Sequence, residues 1–370
     1  MIQNLIVGAG LSGTIIAQRL ASIYKQSSLI IDQRSHIGGN CYDYEDKNIN
    51  IIVHKYGPHT FHTNNKEVWD YLSLFTKWHY FMPKAKANID GNYINIPFNL
   101  NSLYKAFPKN IANNLENKLI SKFDYNHKLS ILELLKTNDK DLKFLANYIY
   151  EKIFKNYTIK QWGINLDELD LSVGARVPII INKDDRYFQN IYQAIPKMGY
   201  TAMIKNILNN KLIKIKLNTR FKDIKKDIKY KRLIFTGSID EFFDYKFGNL
   251  EYRSLDIVFE NFNKEYFQDT VQINYPNNYD FTRIVEYKYF LNQKSNKTLI
   301  SYEYPCSFNG KNERYYPILN TKNKLLYEKY LNEAKKLKNV YFIGRLGDYK
   351  YYNMDEIIAR ALKFANILGE

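Results

Sequence analysis

The chain has 370 residues, which predicts about two or three structural units rather than one average domain. Hydrophobic residues make up 45% of it, too many for a disordered protein. The net charge of +16 is compatible with a polyanionic partner, such as nucleic acid, an acidic membrane surface or a phosphorylated small molecule. Codon bias explains the abundant Lys, Asn, Ile and Tyr residues equally well.

Several classes of protein are excluded by simple patterns. No window of about 18–20 residues lacks charged and strongly polar side chains, so no membrane span is expected. The N-terminal residues resemble no secretory signal, and Cys41 and Cys306 are too isolated to predict a disulfide framework or a thiolate metal site. His59 and His62 are three residues apart, but no third ligand lies beside them, so no metal site is predicted. The expected location is the reducing cytoplasm.

The N-terminal segment has the pattern of a dinucleotide-binding βαβ unit. Residues 2–7 predict a buried strand, and Gly8, Gly10 and Gly13 follow it before a helix-like segment and a second apolar run that ends at Asp32. The glycines permit a tight turn, close approach of a pyrophosphate and close packing of helix on strand. The helix N-terminus then offers N–H groups to the phosphates, and the acid suits a ribose 2′-hydroxyl.

A second glycine pair, Gly38-Gly39, follows the second strand within the sequence HIGGN (36–40). It allows another backbone segment to lie close to the same cofactor. This extension is typical of flavin-binding rather than nicotinamide-binding Rossmann units.

The remaining segments predict two inserted regions. Residues 86–96 alternate around Asp90-Gly91 and predict a β-hairpin, residues 101–160 have helical spacing, and residues 250–305 alternate as in an antiparallel sheet. A helix at 322–338, a strand and a final helix return to the first unit. The densely basic segment 211–232 is interpreted as a strand and a solvated helix rather than a nucleic-acid or membrane patch, because apolar residues interleave with its lysines.

These patterns predict an α/β protein with a discontinuous Rossmann-type FAD-binding domain, an α-helical insert and a mainly antiparallel β-sheet domain. The predicted boundaries are 1–75 with about 200–240 and 338–370 for the FAD-binding domain, about 101–165 for the helical domain, and about 76–100, 166–199 and 241–337 for the sheet domain.

A dozen short sequences, in order along nearly the whole chain, resemble those of bacterial UDP-galactopyranose mutases. They are GAGLSG (8–13), HIGGN (36–40), HKYGPHTFHT (54–63), NIPFNL (95–100), YTIKQWG (157–163), Arg176-Val-Pro, RYFQNIYQAIPKMGYT (186–201), TGSID (236–240), LEYRSL (250–255), FTRIVEYK (281–288), ERYYP (313–317) and GRLGDYKYYNMDE (344–356).

The resemblance implies a flavin-dependent isomerase that interconverts UDP-galactopyranose and UDP-galactofuranose for cell-surface polysaccharide biosynthesis. In this family reduced FAD is the catalyst, and its N5 is thought to displace UDP and form a flavin–sugar adduct in which the ring opens and recloses. The expected partners are a UDP-sugar and a reductant, either NAD(P)H or a cellular flavin reductase. A homodimer is expected, and a nucleic-acid partner is not.

The resemblance also implies a set of site residues. The expected catalytic residues are Arg176 and Arg283, whose planar guanidinium groups suit a departing diphosphate, together with His59 and His62 beside the flavin, which packing would explain equally well. The expected substrate-binding residues are Tyr157, Thr158, Trp162, Arg176, Tyr187, Asn274, Arg283, Tyr315, Tyr316, Tyr351 and Asn353. The expected cofactor-binding residues are Gly8, Gly10, Leu11, Ser12, Gly13, Asp32, Gly38, Gly39, Asn40, His59, Thr236, Gly237, Arg345, Tyr351 and Met354, with Asp355 beside the last of them.

Four positions depart from the family pattern. Asn353 replaces a usual Asp, Tyr287 a frequent His, Asn156 a common Gly, and Ile153 a usual aromatic residue. Because these positions are expected near the substrate, a mutase acting on a different UDP-hexose is a first alternative. An amine-oxidase-like flavin oxidase and a basic nucleic-acid-binding module are further alternatives.

Overall fold

The computed structural model describes residues 2–163 and 177–369. Its strands are β1 (Ile2–Val7), β2 (Ser28–Ile31), β3 (Asp43–Asp46), β4 (Ile51–His54), β5 (Phe61–Thr63), β6 (Trp78–Tyr80), β7 (Ala85–Ile89), β8 (Asn92–Ile96), β9 (Lys128–Leu129), β10 (Ile179–Ile180), β11 (Tyr192–Pro196), β12 (Ile213–Lys216), β13 (Tyr230–Phe235), β14 (Tyr252–Phe262), β15 (Gln272–Asn274), β16 (Arg283–Glu286), β17 (Thr298–Ser307), β18 (Tyr316–Pro317) and β19 (Val340–Phe342).

The described α-helices are α1 (Leu11–Ser22), α2 (Lys66–Ser73), α3 (Leu100–Ala106), α4 (Lys109–Phe123), α5 (Ile131–Leu134), α6 (Lys140–Ile149), α7 (Asn156–Trp162), α8 (Tyr200–Ile207), α9 (Phe221–Ile224), α10 (Ile239–Phe242), α11 (Thr321–Ala334) and α12 (Met354–Gly369). A π-helical segment, Tyr150–Lys155, joins α6 to α7, and short 3₁₀ helices lie at Gly39–Cys41 and Tyr287–Tyr289. Among the described helices, none is long and apolar enough to cross a membrane.

The chain divides by its internal contacts into two compact units. Unit 1 consists of residues 1–81, 190–251 and 321–370, and unit 2 consists of residues 82–189 and 252–320. The finer division into three domains, with the boundaries given in the sequence analysis, stays a prediction.

Unit 1 is built on a five-stranded parallel sheet with the strand order β12-β2-β1-β13-β19. Helix α1 connects β1 to β2, as the glycine pattern predicts, and it packs against the final helix α12. Leu5, Ile31 and Leu233 form a buried cluster on adjacent strands of the sheet. The basic segment 211–232 forms edge strand β12 and the short helix α9, in agreement with its structural interpretation.

Unit 1 also contains two small antiparallel sheets that sequence periodicity does not predict. One pairs β3 with β4, and the other has the order β5-β11-β6. Stacked aromatic rings cover the second sheet, with ring centroids 4.5 Å apart for Trp69 and Trp78 and 4.7 Å apart for Trp69 and Tyr192. These strands are only three to five residues long, so their alternation is too short to recognise in sequence.

Unit 2 is built on a seven-stranded sheet with the order β18-β14-β17-β16-β15-β7-β8. Its neighbouring strands are antiparallel except for the parallel pair β15 and β7. The hairpin of β7 and β8 turns at Asp90 and Gly91, whose φ angles of 51° and 87° are those that a type I′ turn requires. The predicted hairpin and the predicted antiparallel sheet therefore belong to one sheet.

The helices of unit 2 share a hydrophobic core with the hairpin strands. Ala87 and Ile94 of the sheet lie in the same buried cluster as Leu115 of α4 and Leu145 of α6. Side-chain caps begin several of these helices, including the capping box of Asn99 and Ser102 at α3. The predicted helical segment 101–160 thus folds against the sheet rather than alone.

Candidate cofactor and substrate sites

The first glycine loop of unit 1 is packed too closely for side chains. Gly8 has a φ of 111°, and a Cβ on it would lie 2.0 Å from Oγ1 of Thr236. A Cβ on Gly13 would lie 2.0 Å from the carbonyl oxygen of Gly8, so helix α1 can begin beside β1 only because this residue is glycine. Gly10 begins α1 with no side-chain cap and no acidic residue in the first turn. The N-terminus of α1, which includes Leu11 and Ser12, therefore suits an anion such as a pyrophosphate.

The second glycine pair lies directly against the first loop. Gly38 donates its N–H to the carbonyl oxygen of Ala9 at 2.8 Å, and Gly38 and Gly39 have φ angles of 97° and 56°. A Cβ on Gly39 would lie 3.0 Å from Cα of Gly10. The two loops thus form one cradle of bare backbone, which fits the close approach of a dinucleotide.

Asp32 and Asn40 organise the edge of this cradle. One carboxylate oxygen of Asp32 accepts from the N–H of Ala9 at 2.8 Å, and the other accepts from the N–H of Arg34 at 2.9 Å. The Arg34 guanidinium donates to Oδ1 of Asn40 at 2.9 Å and lies over the ring of Tyr56. The predicted acid at the end of β2 is therefore fixed beside the glycine loop.

Residues distant in sequence complete the same edge of the parallel sheet. Thr236 donates its hydroxyl to the carbonyl oxygen of Val7 at 2.8 Å, and Gly237 follows it at the end of β13. Gly344 comes shortly after β19, and a Cβ on it would lie 3.2 Å from Oγ of Ser12. Four parallel strands thus end around the glycine loop, which is where open α/β sheets bind ligands.

The segment before α12 brings further predicted residues together. Arg345 donates to the carbonyl oxygen of Tyr352 at 2.8 Å, and its guanidinium lies 5.3 Å from the centroid of the Tyr351 ring. Met354 begins α12, and its sulfur lies 3.7 Å from Sγ of Cys41. Burial of Cys41 raises the pKa of its thiol to about 12. The carboxylate of Asp355 accepts a hydrogen bond from the hydroxyl of Thr63 at 2.9 Å.

The histidine loop is held by hydrogen bonds to neutral groups. His59 Nδ1 lies 2.8 Å from the carbonyl oxygen of Gly57, and His62 Nδ1 lies 3.0 Å from Oδ1 of Asn190. The N–H of His59 donates to Nδ1 of His54, whose burial lowers its pKa to about 3. His54 is therefore neutral and accepts that hydrogen bond through its unprotonated nitrogen.

In unit 2, Arg283 pairs with a buried carboxylate that sequence reasoning missed. Arg283 on β16 and Glu303 on β17 are direct partners in the antiparallel register, and Arg283 Nε donates to Oε2 of Glu303 at 2.7 Å. Glu303 is 1% exposed, and its Oε1 has no hydrogen-bond partner among the described residues. Burial would lower the pKa of Arg283, but the charge of Glu303 and the neighbouring Tyr157 and Tyr316 hold it well above its usual value.

Aromatic residues of two segments, α7 and β18, lie near this guanidinium, and Tyr157 and Tyr316 act on it directly. Tyr157 and Trp162 lie on α7, and the ring of Trp162 is 5.9 Å from that of Tyr316. Tyr316 is partly exposed, whereas its neighbour Tyr315 is 4% exposed. Of the two adjacent tyrosines, Tyr316 is therefore the one that lies beside Trp162 and Arg283, two of the predicted substrate-binding residues.

The remaining predicted substrate residues of unit 2 have fewer described contacts with Arg283 and the aromatic residues near it. Asn274 on β15 is the register partner of Arg283 and accepts from Gln272 at 2.8 Å. Thr158 is buried on α7. Tyr187 donates its N–H to the carbonyl oxygen of Pro83 and packs against Phe188 and the helical core. Arg176, which was predicted to meet the diphosphate, lies outside the described residues.

A second buried residue, Arg253, links the elements that carry these side chains. It stands near the start of β14, is 6% exposed, and donates to the carbonyl oxygens of Lys160 and Gln161 at the end of α7. It lies within the sequence LEYRSL (250–255), but nothing in the local pattern predicts that its side chain reaches α7.

Two of the family departures are packed in hydrophobic surroundings. Tyr287 is fully buried between Phe259 and Phe290, and its hydroxyl shares a hydrogen bond with Ser301. Ile153 packs against the helical core of unit 2. That the four departures lie near the substrate stays a prediction.

Two regions of the chain match known families. Residues 6–75 match NAD(P)-binding Rossmann-like domains, and residues 152–351, more than half of the chain, match UDP-galactopyranose mutases. The chain belongs to the UDP-galactopyranose mutase family.

Individual relatives support the same assignment. The chain is 39% identical over 364 residues to a probable UDP-galactopyranose mutase of Klebsiella pneumoniae, covering 98% of this chain and 93% of that protein. It is 36% identical to a dTDP-fucopyranose mutase of Escherichia coli, covering 98% and 97%. The fold is similar to a crystal structure of reduced UDP-galactopyranose mutase, with a TM-score of 0.76 at 15% identity over 100% of this chain and 96% of that one.

Family membership confirms the sequence resemblance and the predicted fold class. The chain is an enzyme of the isomerase class, with a Rossmann-type unit and a mainly antiparallel sheet. Membership implies a flavin cofactor, and the bare glycine cradle of unit 1 fits such a group.

Proposed function

We propose that this enzyme interconverts UDP-galactopyranose and UDP-galactofuranose with reduced FAD. The observation that carries the proposal is the group of Arg283, Tyr157, Trp162 and Tyr316 in unit 2. A fixed guanidinium with aromatic rings and hydroxyl groups nearby suits a nucleoside diphosphate, because rings of this kind can stack on the base and the donors can bind phosphate oxygens.

For the cofactor, we propose that the glycine cradle and the N-terminus of α1 hold the FAD pyrophosphate while Asp32 accepts from the adenosine ribose. Arg345, Met354 and the residues at the ends of β13 and β19 would extend this site along the cofactor. Reduced FAD, when bound, supplies the nucleophilic N5 that carries the covalent chemistry of the sugar. His59 and His62 remain catalytic candidates beside the flavin ring.

For the substrate, we propose that Arg283 stabilises the negative charge that develops on UDP as the glycosidic bond breaks. Its hydrogen bond to Glu303 engages Nε, so the two Nη groups can point to a diphosphate. Arg176 would supply a second guanidinium, with Tyr187, Asn274, Thr158, Tyr351 and Asn353 as further substrate contacts. The predicted sheet and helical domains would then form the substrate-binding part of the enzyme.

The decisive experiment is an assay of the purified flavoprotein with UDP-galactofuranose. The dithionite-reduced enzyme should form UDP-galactopyranose, measured by chromatography, and the oxidised enzyme should form far less. Absence of conversion by the reduced enzyme, or equal conversion by the oxidised one, would refute the proposal. Oxygen consumption with an amine substrate and no binding of UDP would instead support a flavin oxidase.

A variant of Arg283 tests the proposed diphosphate contact. Arg283→Ala should keep its flavin, because the cofactor is assigned to unit 1, but should lose about 100-fold or more in turnover when the phosphate charge is no longer stabilised. Arg220→Ala removes an exposed arginine of unit 1 and serves as the matched control. Turnover of Arg283→Ala within a few-fold of the control would contradict the assignment.

A second candidate substrate is another nucleotide-linked hexose. The relative named dTDP-fucopyranose mutase is as similar in sequence to this chain as the Mycoplasma genitalium UDP-galactopyranose mutase, at 36% identity each, so identity alone does not choose between them. Asn353 in place of the usual Asp also favours a different sugar or nucleotide. Comparing kcat/KM for UDP-galactofuranose, dTDP-fucofuranose and N-acetylated UDP-furanose sugars decides the preference.

We also propose a cellular location, an oligomeric state, a reductant and a biosynthetic role, all of which the family suggests. The enzyme would work in the cytoplasm as a homodimer, with NAD(P)H or a flavin reductase as its reductant, and would supply cell-surface polysaccharide synthesis. Sedimentation equilibrium measures the oligomeric state, and anaerobic reduction rates with NADH and NADPH identify a direct reductant.

A further inference from the structure

Arg253 occupies a junction between three strands of unit 2. It is a register partner of Ser307 on β17 and of Tyr316 on β18. Its carbonyl oxygen also accepts from the N–H of Tyr315 at 3.0 Å. The backbone of Arg253 therefore fixes the segment that contains the candidate substrate residue Tyr316.

The side chain of Arg253 reaches a different element. Nε donates to the carbonyl oxygen of Gln161 at 2.9 Å, Nη2 to that of Lys160 at 3.0 Å, and Nη1 to Oγ of Ser307 at 3.0 Å. The last carbonyl groups of a helix have no partners within the helix and carry partial negative charge. The Arg253 guanidinium therefore caps the C-terminus of α7, the helix that contains Tyr157 and Trp162.

Gly163 makes this close approach possible. It follows α7 with a φ of 68°, and a Cβ on it would lie 2.7 Å from Nη1 of Arg253. Both the left-handed backbone and the lack of space therefore favour glycine at this position.

We propose that Arg253 is a positioning residue of the nucleotide site, which holds Trp162 and Tyr157 of α7 at a fixed distance from Tyr316 of β18. The inference rests on the proposed function and deepens it, because it names the residue that sets the spacing of the aromatic rings around the nucleotide. The side chain of Arg253 binds two carbonyl oxygens and one hydroxyl, so its described hydrogen bonds serve geometry rather than charge neutralisation. When the cap is lost, α7 and β18 are joined less firmly and the nucleotide must order them on binding.

The test compares Arg253→Met, Arg253→Lys, Gly163→Ala and Ser307→Ala in the purified flavoprotein. UDP is the probe, and its Kd is measured by calorimetry beside KM, kcat, flavin content and thermal unfolding. Arg253→Met should raise the Kd for UDP and the KM about tenfold, because the nucleotide must then order α7 against β18 when it binds. The flavin content and the kcat should stay within about threefold of wild type.

The other variants separate positioning from general damage to the fold. Arg253→Lys should recover part of the UDP affinity, because Nζ can still bind one carbonyl oxygen. Gly163→Ala should also weaken UDP binding, because its Cβ would displace the Arg253 guanidinium from the end of α7. This variant provides the test if Arg253→Met does not fold. Ser307→Ala leaves both helix carbonyls capped and should bind UDP within about twofold of wild type.

Two results would overturn the inference. One is a UDP Kd within twofold of wild type in folded Arg253→Met or Gly163→Ala protein, and the other is a loss of UDP affinity that is matched by an equal loss of flavin. Wild-type protein that does not bind UDP or convert any UDP-sugar would instead refute the proposed function, whatever the variants do.

Discussion

Loss of the charge on Glu303, the partner of Arg283, should have opposite effects on the stability of the protein and on its affinity for UDP. In Glu303→Gln the side chain keeps its shape and can still accept from Arg283 Nε, but the negative charge is lost. The protein should become less stable, because a buried guanidinium loses its counter-charge. UDP should bind more tightly, because the carboxylate no longer competes with the diphosphate for the same cation.

The size of the loss follows from the geometry. Glu303 is 1% exposed and the side chain of Arg283 is 19% exposed, so the pair is buried but not fully sealed. Removing one partner of a buried pair costs about 3–5 kcal/mol, and the retained hydrogen bond restores about 1 kcal/mol. We therefore expect the free energy of unfolding to fall by about 2–4 kcal/mol.

Urea unfolding of both proteins at equal flavin content measures this loss, and calorimetry measures the Kd for UDP. Glu151→Gln is the matched control, because Glu151 also lies in unit 2 and pairs with Lys155 at 2.8 Å, but both side chains are about half exposed. The control should unfold as wild type does. A loss in Glu303→Gln no larger than in the control, or a weaker affinity for UDP, would refute the electrostatic argument.

Three further predictions concern other residues. The buried His54 has a pKa lowered from 6.5 to about 3, so the unfolded chain binds the proton first as the pH falls. The free energy of unfolding should therefore decrease by about 1.4 kcal/mol per pH unit below pH 6.5 from this group, and urea titrations of His54→Gln should show a shallower slope. Gly39→Ala should lose flavin measured by absorbance, whereas Gly91→Ala, equally left-handed but with open space around it, should keep it. Tyr316→Phe should raise the KM about fivefold or more through the loss of a phosphate hydrogen bond, and Tyr315→Phe should not.

The elements that sequence predicted well are those whose signals are local. The strand, glycine loop and helix of residues 2–22 follow one another directly, and Asp90-Gly91 is one of the few residue pairs that the φ angles of its turn favour. Asp32 is fixed by the N–H of Ala9 as a neighbouring loop would allow. These features need no information about distant parts of the chain.

The features that sequence did not predict depend on register between distant strands. Glu303 meets Arg283 because β16 and β17 pair with one alignment, and a shift by one residue would turn the carboxylate to the other face of the sheet. Arg253 reaches Lys160 across more than ninety positions of chain. The burial of Tyr287, which begins a short 3₁₀ helix, likewise follows from its packing against Phe259 of the distant strand β14.

The strand order of unit 1 has a consequence for how the protein is made. Strand β1 lies between β2 and β13, and β13 pairs in turn with β19, which ends at Phe342. During synthesis the N-terminal glycine loops therefore leave the ribosome long before β13 and β19 exist. The central sheet can close only when nearly the whole chain is available, so folding must join segments separated by hundreds of residues, a slow type of assembly. Flavin uptake by nascent chains stalled at different lengths should thus begin only after β19 has emerged.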